Sequence, residues 1–540
     1  MKFKFLIAFL LGAVMSASAQ GYQDGIEYYK ADQFANAKTI LERTLNNADT
    51  DKSLAYYYLG EIALRDGNKV LAKQYFDNGI AANAENPYNY VGLATLDLLN
   101  GNEDAAKENI KLAEKFGKKN NEVTVAIARA YYVANPEVYA KQISKYLEKA
   151  TKDSKRKEPS IYILKGDMLA AADSINEAVE QYGQAVYFGP EQSAAYVKSA
   201  NIYFVINPTS AIEMLETLLS LQPNSALAQR ELAIKYYDNG QFAKAAELYG
   251  QYVKNPNHFR EDEERYTVLL FANGKFAEAF DFAQSCEKSF LIQRMMFWSK
   301  AALKDYDAAV KYAEEFFSAN QGGFFSTNDY AYYGDVLVEL KQDSLALVQF
   351  EKAIAVDTVK NTGLYERVSK IHENNGNLYQ AALAYEKYVN GKAQISPNDY
   401  LNVVIKFAKS ATADTTETRM PAVESGLKYI ELGLPKVAEQ SKFMFLSYKV
   451  TLLSAKANND NTTPEVMAAL KELVAALEVD ATVLEKQNKL YVNVCGMIGQ
   501  IANEQKDYAT ALTYYEKALA ADPSKTQLEE VIAKLKTKVK

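Results

Sequence analysis

The fold is decided by a short motif that is clearest at residues 499–523, GQIANEQKDYATALTYYEKALAADP. Small residues precede a turn, and Tyr508 follows it. Ala511 and Tyr515 are four positions apart, so both side chains lie on one face of a second helix. Pro523 then ends that helix. The stretch therefore predicts two helices joined by a tight turn.

The same motif recurs along most of the chain. An alanine returns at steps close to 34 residues, the period of a repeated helix pair, at Ala37, Ala72, Ala106, Ala178, Ala211, Ala245, Ala279, Ala309, Ala346, Ala381 and Ala511. Many of these alanines have an aromatic residue four positions later, as in Ala72/Phe76 and Ala346/Phe350. The 540 residues are thus predicted to form an array of helix pairs and not several globular domains.

The order of residues within one unit resembles the tetratricopeptide repeat family. In the second unit Tyr56, Leu59 and Gly60 lead to Ala72 and Phe76, matching the family's aromatic, Leu-Gly, Ala and aromatic positions. The resemblance implies an all-α fold, a right-handed α-solenoid of about 14 antiparallel helix pairs with a C-terminal capping helix. The small residues let helices approach closely, and this is expected at Gly60, Gly166, Gly334 and Gly499.

The chain is expected to divide into segments of different kinds. Residues 1–19 are predicted to be a signal peptide, and residues 410–421 an exposed loop without hydrophobic periodicity. The predicted helical segments are residues 20–157, 158–409 and 422–525, followed by the capping helix at 526–540.

The N-terminal segment predicts export. Lys2 and Lys4 precede an apolar run that is too short to span a membrane, and a small-residue cleavage site lies before Gln20. Removal of residues 1–19 changes the net charge from −7 to −9, which argues against nucleic acid as a partner. We expect a periplasmic protein that is not integral to a membrane and reaches the outer membrane only through a partner.

The sequence contains few residues of the types that catalytic sites require. Only His258 and His372 are present, no glycine-rich phosphate loop occurs, and Cys286 and Cys495 lie about six repeats apart. We therefore expect no enzyme activity, no cofactor, no metal site and no intramolecular disulfide.

Binding residues follow from the resemblance, which places the first helix of each pair on a concave, partner-binding face. The candidates on this face are Tyr57, Leu64, Val91, Leu98, Arg129, Tyr132, Ile163, Asp167, Asn201, Phe204, Arg230 and Tyr237. Farther along, the same positions become charged, at Glu264, Asp335, Glu366, Arg367, Lys370 and Glu373, which suggests a second binding region. The alternative is that the aromatic residues only pack against adjacent helices.

Four short sequences resemble an Asp-Ser/Thr-apolar O-glycosylation motif of some Gram-negative envelopes. Their hydroxyls belong to Ser174, Ser344, Thr358 and Thr415, all in predicted turns or loops. Ordinary turn chemistry explains the same residues without a glycan.

These observations favour a non-catalytic scaffold that binds envelope proteins or peptide segments and holds or assembles a complex associated with the outer membrane. An accessory protein that binds cell-wall or polysaccharide material through stacked aromatic rings is the alternative. Self-association along the solenoid edges is a third possibility.

Overall fold

The computed structural model describes residues 21–413 and 417–539, and within these ranges it is helical without a β-strand. It contains fourteen consecutive helix pairs, one short helix and a final single helix, as the sequence predicts. The described residues form two compact units, and the boundary between them, at Met295 and Met296, falls inside one helix. The predicted signal peptide lies outside the described residues.

The helices of the first unit are α1 Gly21–Lys30, α2 Phe34–Thr44, α3 Lys52–Arg65, α4 Lys69–Ala82, α5 Pro87–Leu99, α6 Glu103–Phe116, α7 Asn121–Ala134, α8 Ala140–Asp153, α9 Pro159–Ala171, α10 Ile175–Phe188, α11 Ser193–Ile206, α12 Pro208–Leu221, α13 Ala226–Asp238, α14 Phe242–Tyr252, α15 Arg260–Ala272 and α16 Phe276–Ser285. The boundary helix is α17 Phe290–Ala302.

The helices of the second unit are α18 Tyr306–Ala319, α19 Thr327–Glu339, α20 Asp343–Val356, α21 Leu364–Asn374, α22 Leu378–Asn390, α23 Pro397–Ala413, α24 Arg419–Gly433, α25 Lys442–Lys456, α26 Pro464–Leu477, α27 Ala481–Lys486, α28 Asn488–Glu504, α29 Tyr508–Ala521 and α30 Gln527–Lys538. Three 3₁₀ turns lie at Lys360–Gly363, Leu434–Lys436 and Glu439–Ser441.

A recurring turn joins the two helices of a pair. One residue adopts a left-handed backbone conformation, as at Gly67 with φ +78° and Gly240 with φ +71°. Asp32, Lys341 and Lys506 take the same role with φ between 60° and 64°. Glycine adopts this conformation without steric cost, which explains why it is common at the turn.

The predicted close approach of helices at small residues is confirmed. A Cβ atom on Gly60 would lie 2.3 Å from the ring of Phe76, and one on Gly499 would lie 2.7 Å from Tyr515. Phe76 is fully buried, and Ala72, one turn earlier, is buried with it. The motif therefore acts as a packing device, because each aromatic ring fills the space that the absent side chain leaves.

The predicted loop at residues 410–421 is shorter in the structure. Helix α23 continues to Ala413 and α24 begins at Arg419, which leaves no more than five residues between them. Ser410 and Ala411 are buried, so their small side chains serve helix packing and not a loop. The lack of bulky apolar residues gave a misleading signal here, because small residues also bury well between helices. The capping helix lies at its predicted position, as α30.

Candidate functional site

The first helix pair of the chain contacts repeats that are far away in sequence. The side-chain amide of Asn257, in the loop after α14, donates to the Asp24 carboxylate at 2.6 Å and to the Gly21 carbonyl at 3.2 Å. The Arg43 guanidinium donates to the amide oxygen of Asn257 at 2.9 Å. Asp24 and Asn257 are both buried. We call this group, Gly21, Asp24, Arg43 and Asn257, the closure cluster.

Further contacts extend the closure along α11, α13 and the start of α15. Two are hydrogen bonds, from Ser225 Oγ to Glu27 Oε2 at 2.7 Å and from Gln33 Nε2 to Glu231 Oε1 at 2.5 Å. The other two are an ion pair between Lys198 Nζ and Asp32 Oδ2 at 2.9 Å and a contact between the rings of Tyr28 and Phe259, whose centres lie 5.5 Å apart. The first unit is therefore closed by its own N-terminal hairpin. Nothing in the local motif predicts this closure.

Burial changes the ionisation of the closure cluster. It raises the pKa of Asp24 from 3.8 to about 7, and the hydrogen bond from Asn257 opposes the change only in part. The second carboxyl oxygen of Asp24, Oδ1, is buried without a hydrogen-bond partner. A carboxyl group with this pKa is largely protonated below pH 7 and about half protonated at pH 7.

Arg230 belongs to the interior of the first unit. Its Nε atom donates to the fully buried Asp262 at 2.6 Å, its Nη2 atom donates to Glu261, and its guanidinium lies 5.0 Å from the Phe259 ring centre. Only 6% of Arg230 is exposed. Arg230, which the sequence analysis predicts to bind a partner, is therefore packed inside the first unit.

Four of the predicted binding residues, Tyr57, Arg129, Ile163 and Asp167, meet around one cavity of about 170 Å³. The remaining lining comes from α1, α3, α5, α7, α9 and the residues just before α9 and α11, and comprises Tyr29, Lys30, Tyr58, Tyr88, Glu122, Val125, Ala126, Glu158, Ser160, Leu164 and Gln192. We call it the tyrosine cavity. Residues from five helix pairs and the segment before a sixth converge here, which the recurrent spacing alone could not show.

The other predicted residues are distributed over three environments. Val91 and Leu98 are buried, and Leu64, Tyr132 and Phe204 are half-buried. Asn201 and Tyr237 are exposed. Phe204 lies beneath the Lys235 ammonium at 4.9 Å, and the ring of Tyr237 lies 5.5 Å from that of Phe242. Of the predicted concave set, Asn201 and Tyr237 are therefore the most accessible to a partner.

The charged face predicted in the second unit is present as ion pairs between neighbouring first helices. Arg367 donates twice to Asp335, at 2.7 and 2.9 Å. Glu373 accepts from Lys406 at 2.9 Å and from Lys409 at 2.7 Å. Hydrogen bonds from the two lysines lower the pKa of Glu373 to about 2. Glu366 and Lys370 are exposed beside them.

The glycosylation motifs lie in different local structures. Ser174 directly precedes α10 and is half-buried, whereas Thr358 is exposed after α20. Ser344 is exposed but lies in the first turn of α20, so the prediction of a loop there is wrong. Thr415 lies outside the described residues. Modification at these hydroxyls stays a prediction, which an intact mass measurement would test.

Residues 21–413 and 417–539 contain no group of three or more His, Cys, Asp or Glu side chains arranged to hold a metal ion. His258 contacts the Asn255 carbonyl at 2.7 Å and Glu263 at 2.8 Å. No helix in the described chain is long and apolar enough to cross a bilayer.

Comparison with known proteins supports the assignment of the repeats. Family models described as tetratricopeptide repeat match residues 22–87, 207–258 and 492–525. Tetratricopeptide repeat protein 21A of Mus musculus is 26% identical over 218 residues, which cover 37% of this chain and 15% of that protein. The matches indicate tetratricopeptide repeats in these three segments of the chain. Proteins of this class generally act as non-catalytic scaffolds that bind other proteins.

Two solved structures were also found to match part of this chain. The C-terminal part of a TPR repeat-containing protein from Cytophaga hutchinsonii is 20% identical, and the match covers 49% of this chain and 98% of that chain with a TM-score of 0.32. A tetratricopeptide repeat protein from Parabacteroides merdae is 14% identical, with coverage of 50% and 99% and a TM-score of 0.29.

Proposed function

We propose that this protein is an exported, non-catalytic scaffold of the periplasm that binds envelope proteins or peptide segments and holds or assembles an outer-membrane-associated complex. The observation that carries the proposal is the array of fourteen helix pairs with tetratricopeptide repeat matches near both ends and within the first unit. Such an array presents an extended surface and few catalytic groups. The signal-like sequence of residues 1–19 supports the compartment.

The accessible part of the predicted concave face is the favoured contact surface. Tyr237 is 39% exposed and pairs with Phe242, which is 47% exposed. Aromatic side chains of this kind contribute large contact areas in protein interfaces. Asn201 adds an exposed amide on α11.

Site-specific photo-cross-linking in intact cells tests the function. A photoreactive residue replaces Tyr237, and the matched control replaces Tyr187, which is 75% exposed on the second helix α10. We expect mass spectrometry to identify envelope proteins captured from position 237 and not from position 187. Equal capture from both positions, or none from position 237, would contradict binding through this face.

Export and ligand class need separate measurements. Cell fractionation should place the protein in the periplasm, and its intact mass should correspond to a chain that begins at Gln20. A cytoplasmic, uncleaved protein would contradict the proposed compartment. The ligand class is tested by measuring whether the purified protein binds purified glycans. Binding of sugars without any captured protein would favour the polysaccharide-binding alternative.

A further inference from the structure

Helix α1 lies in a groove that is formed by repeats far along the first unit. We call this surface the hairpin groove; its residues, each in contact with α1 or with the turn after it, are Lys198, Ser225, Glu231, Asn257 and Phe259. Residues 193–200 of α11 and 226–233 of α13 are all buried, although eight consecutive positions point to every side of a helix. Neighbouring helices of the array cover one side of α11 and α13, and the N-terminal hairpin covers the other.

The seam between the hairpin and the hairpin groove is mainly polar. Four of the five groove residues are polar, are at most 8% exposed, and contact a polar side chain of the hairpin. The fifth, Phe259, contacts the ring of Tyr28. Protein cores are built mainly from apolar residues, whereas interfaces between parts that also exist apart are more polar than permanent ones. The composition of the seam therefore favours a contact that opens and closes.

The face that α1 presents to the hairpin groove has a defined pattern. Asp24, Glu27 and Tyr28 stand at positions i, i+3 and i+4, so their side chains lie on one face of the helix. Asp24 and Glu27 accept hydrogen bonds from neutral donors, the amide of Asn257 and the hydroxyl of Ser225. Such donors can bind the side-chain oxygen of Asp, Glu, Asn or Gln. The groove thus fits two hydrogen-bond acceptors followed by an aromatic ring.

The other side of α1 is attached to repeats that are close in sequence. The ring of Tyr29 lies 4.9 Å from that of Tyr58 in α3, and the Tyr29 hydroxyl donates to Glu61 at 3.3 Å. The Lys30 ammonium lies 2.8 Å from the Glu122 carboxylate in α7. None of these contacts involves the hairpin groove. The first unit can therefore open at the seam while α1 keeps its contacts with α3 and α7.

We propose that the hairpin groove is a binding site for a helix of another protein, and that α1 occupies this site until such a helix replaces it. The partner helix carries two hydrogen-bond-accepting side chains three positions apart and an aromatic residue directly after the second, as α1 does. Because α1 competes within the same chain, the partner's apparent affinity is reduced to the fraction of chains whose groove is open. The proposal rests on the proposed function, since it gives the scaffold a second contact surface and a helical partner.

Fluorescence anisotropy of a labelled peptide with the sequence of residues 21–44, which comprises α1 and α2, tests the proposal on the full chain. The groove of the unmodified chain is occupied, so we expect weak binding. Tyr28→Ala in the full chain removes the ring contact with Phe259 and should raise the affinity for the peptide at least about tenfold. Gln23→Ala, on the exposed face of α1, is the matched control and should leave the affinity unchanged.

A second peptide tests whether binding uses the same face of α1. With Glu27→Ala and Tyr28→Ala, the peptide should bind the Tyr28→Ala chain at least about tenfold more weakly than the unaltered peptide does. Equal binding of the two peptides, or no gain in affinity from Tyr28→Ala, would overturn the proposal. If Tyr28→Ala fails to fold by circular dichroism, Glu27→Ala replaces it in the full chain. It removes the hydrogen bond from Ser225 and should raise the affinity about two- to fivefold, and no gain would likewise overturn the proposal.

The outcomes separate this proposal from the scaffold function. Peptide binding without any envelope protein captured from position 237 would support the hairpin groove and contradict the scaffold. Capture from position 237 without peptide binding would overturn the hairpin groove and leave the scaffold function supported.

Discussion

The two units use charged residues in opposite ways. In the first unit, a buried cluster joins Asp24 to Asn257 across 233 positions of sequence. In the second unit, partly exposed ion pairs such as Arg367 with Asp335 join neighbouring helix pairs only 32 positions apart. Repeat arrays usually owe their stability to contacts between adjacent repeats. The first unit departs from this rule, so its polar contacts should affect stability far more than those of the second.

Loss of Asn257 should produce the largest effect. Asn257→Leu leaves the buried Asp24 carboxyl and the Arg43 guanidinium without their shared partner, and we expect roughly 2–5 kcal/mol less stability of the first unit. Urea unfolding, together with amide hydrogen exchange in α1, measures this loss of stability. Gln23→Leu on the exposed face of α1 is the control and should change little. A loss below about 0.5 kcal/mol for Asn257→Leu would remove the energetic contrast between the units.

The pH dependence of the first unit should be the next largest effect. The pKa of Asp24 is about 7 in the folded chain against 3.8 as its ordinary value, so folding favours the protonated carboxyl. This stabilisation is complete below about pH 4 and is lost as the pH rises through 7. Between pH 5 and 8 we expect a loss of roughly 1–3 kcal/mol, seen as a lower free energy of opening in α1 once the amide exchange rates are corrected for the pH dependence of intrinsic exchange. In Asp24→Asn this corrected free energy should change little over the same pH range; a pH dependence equal to that of the unmodified chain would rule out Asp24 as its source.

The second unit should respond to acid in the opposite direction. Glu373 has a folded pKa of about 2 against an ordinary value of 4.5, because Lys406 and Lys409 donate to it. Its contribution is present above about pH 4.5 and is lost as the pH falls through 2. Since the group is 31% exposed, we expect Glu373→Gln to cost only roughly 0.5–1 kcal/mol at pH 7. The free energy of opening in α21, obtained from amide exchange at pH 7 and pH 3 after correction for intrinsic exchange, checks this, and a loss comparable to that of Asn257→Leu would contradict the comparison.

Arg367→Lys should give the smallest change. Lysine keeps the positive charge but loses the double hydrogen bond to Asp335. Because both side chains are nearly half exposed, solvent screens the pair, and we expect a loss of at most about 0.5 kcal/mol in thermal or urea unfolding. A loss above about 2 kcal/mol would show that this surface pair matters as much as the buried cluster.

The sequence predicts local features of this fold well and distant contacts poorly. The alanine and aromatic spacing identifies the helix pairs, and the small residues identify contacts such as Gly60 with Phe76, because both depend on neighbours within one repeat. The closure cluster depends on small rotations that accumulate over six repeats, and no residue of the motif encodes their sum. For the same reason, Val91 and Arg230 could be assigned to first helices but their burial could not.

The closure has a consequence for the order in which the protein is made. Asp24 leaves the ribosome 233 residues before Asn257. At synthesis rates of about 5–20 residues per second, α1 waits roughly 10–50 s before its partner exists. During this interval Tyr28, fully buried in the finished protein, lacks the ring of Phe259 that covers it. The N-terminal hairpin is therefore made long before the residues that close the first unit over it.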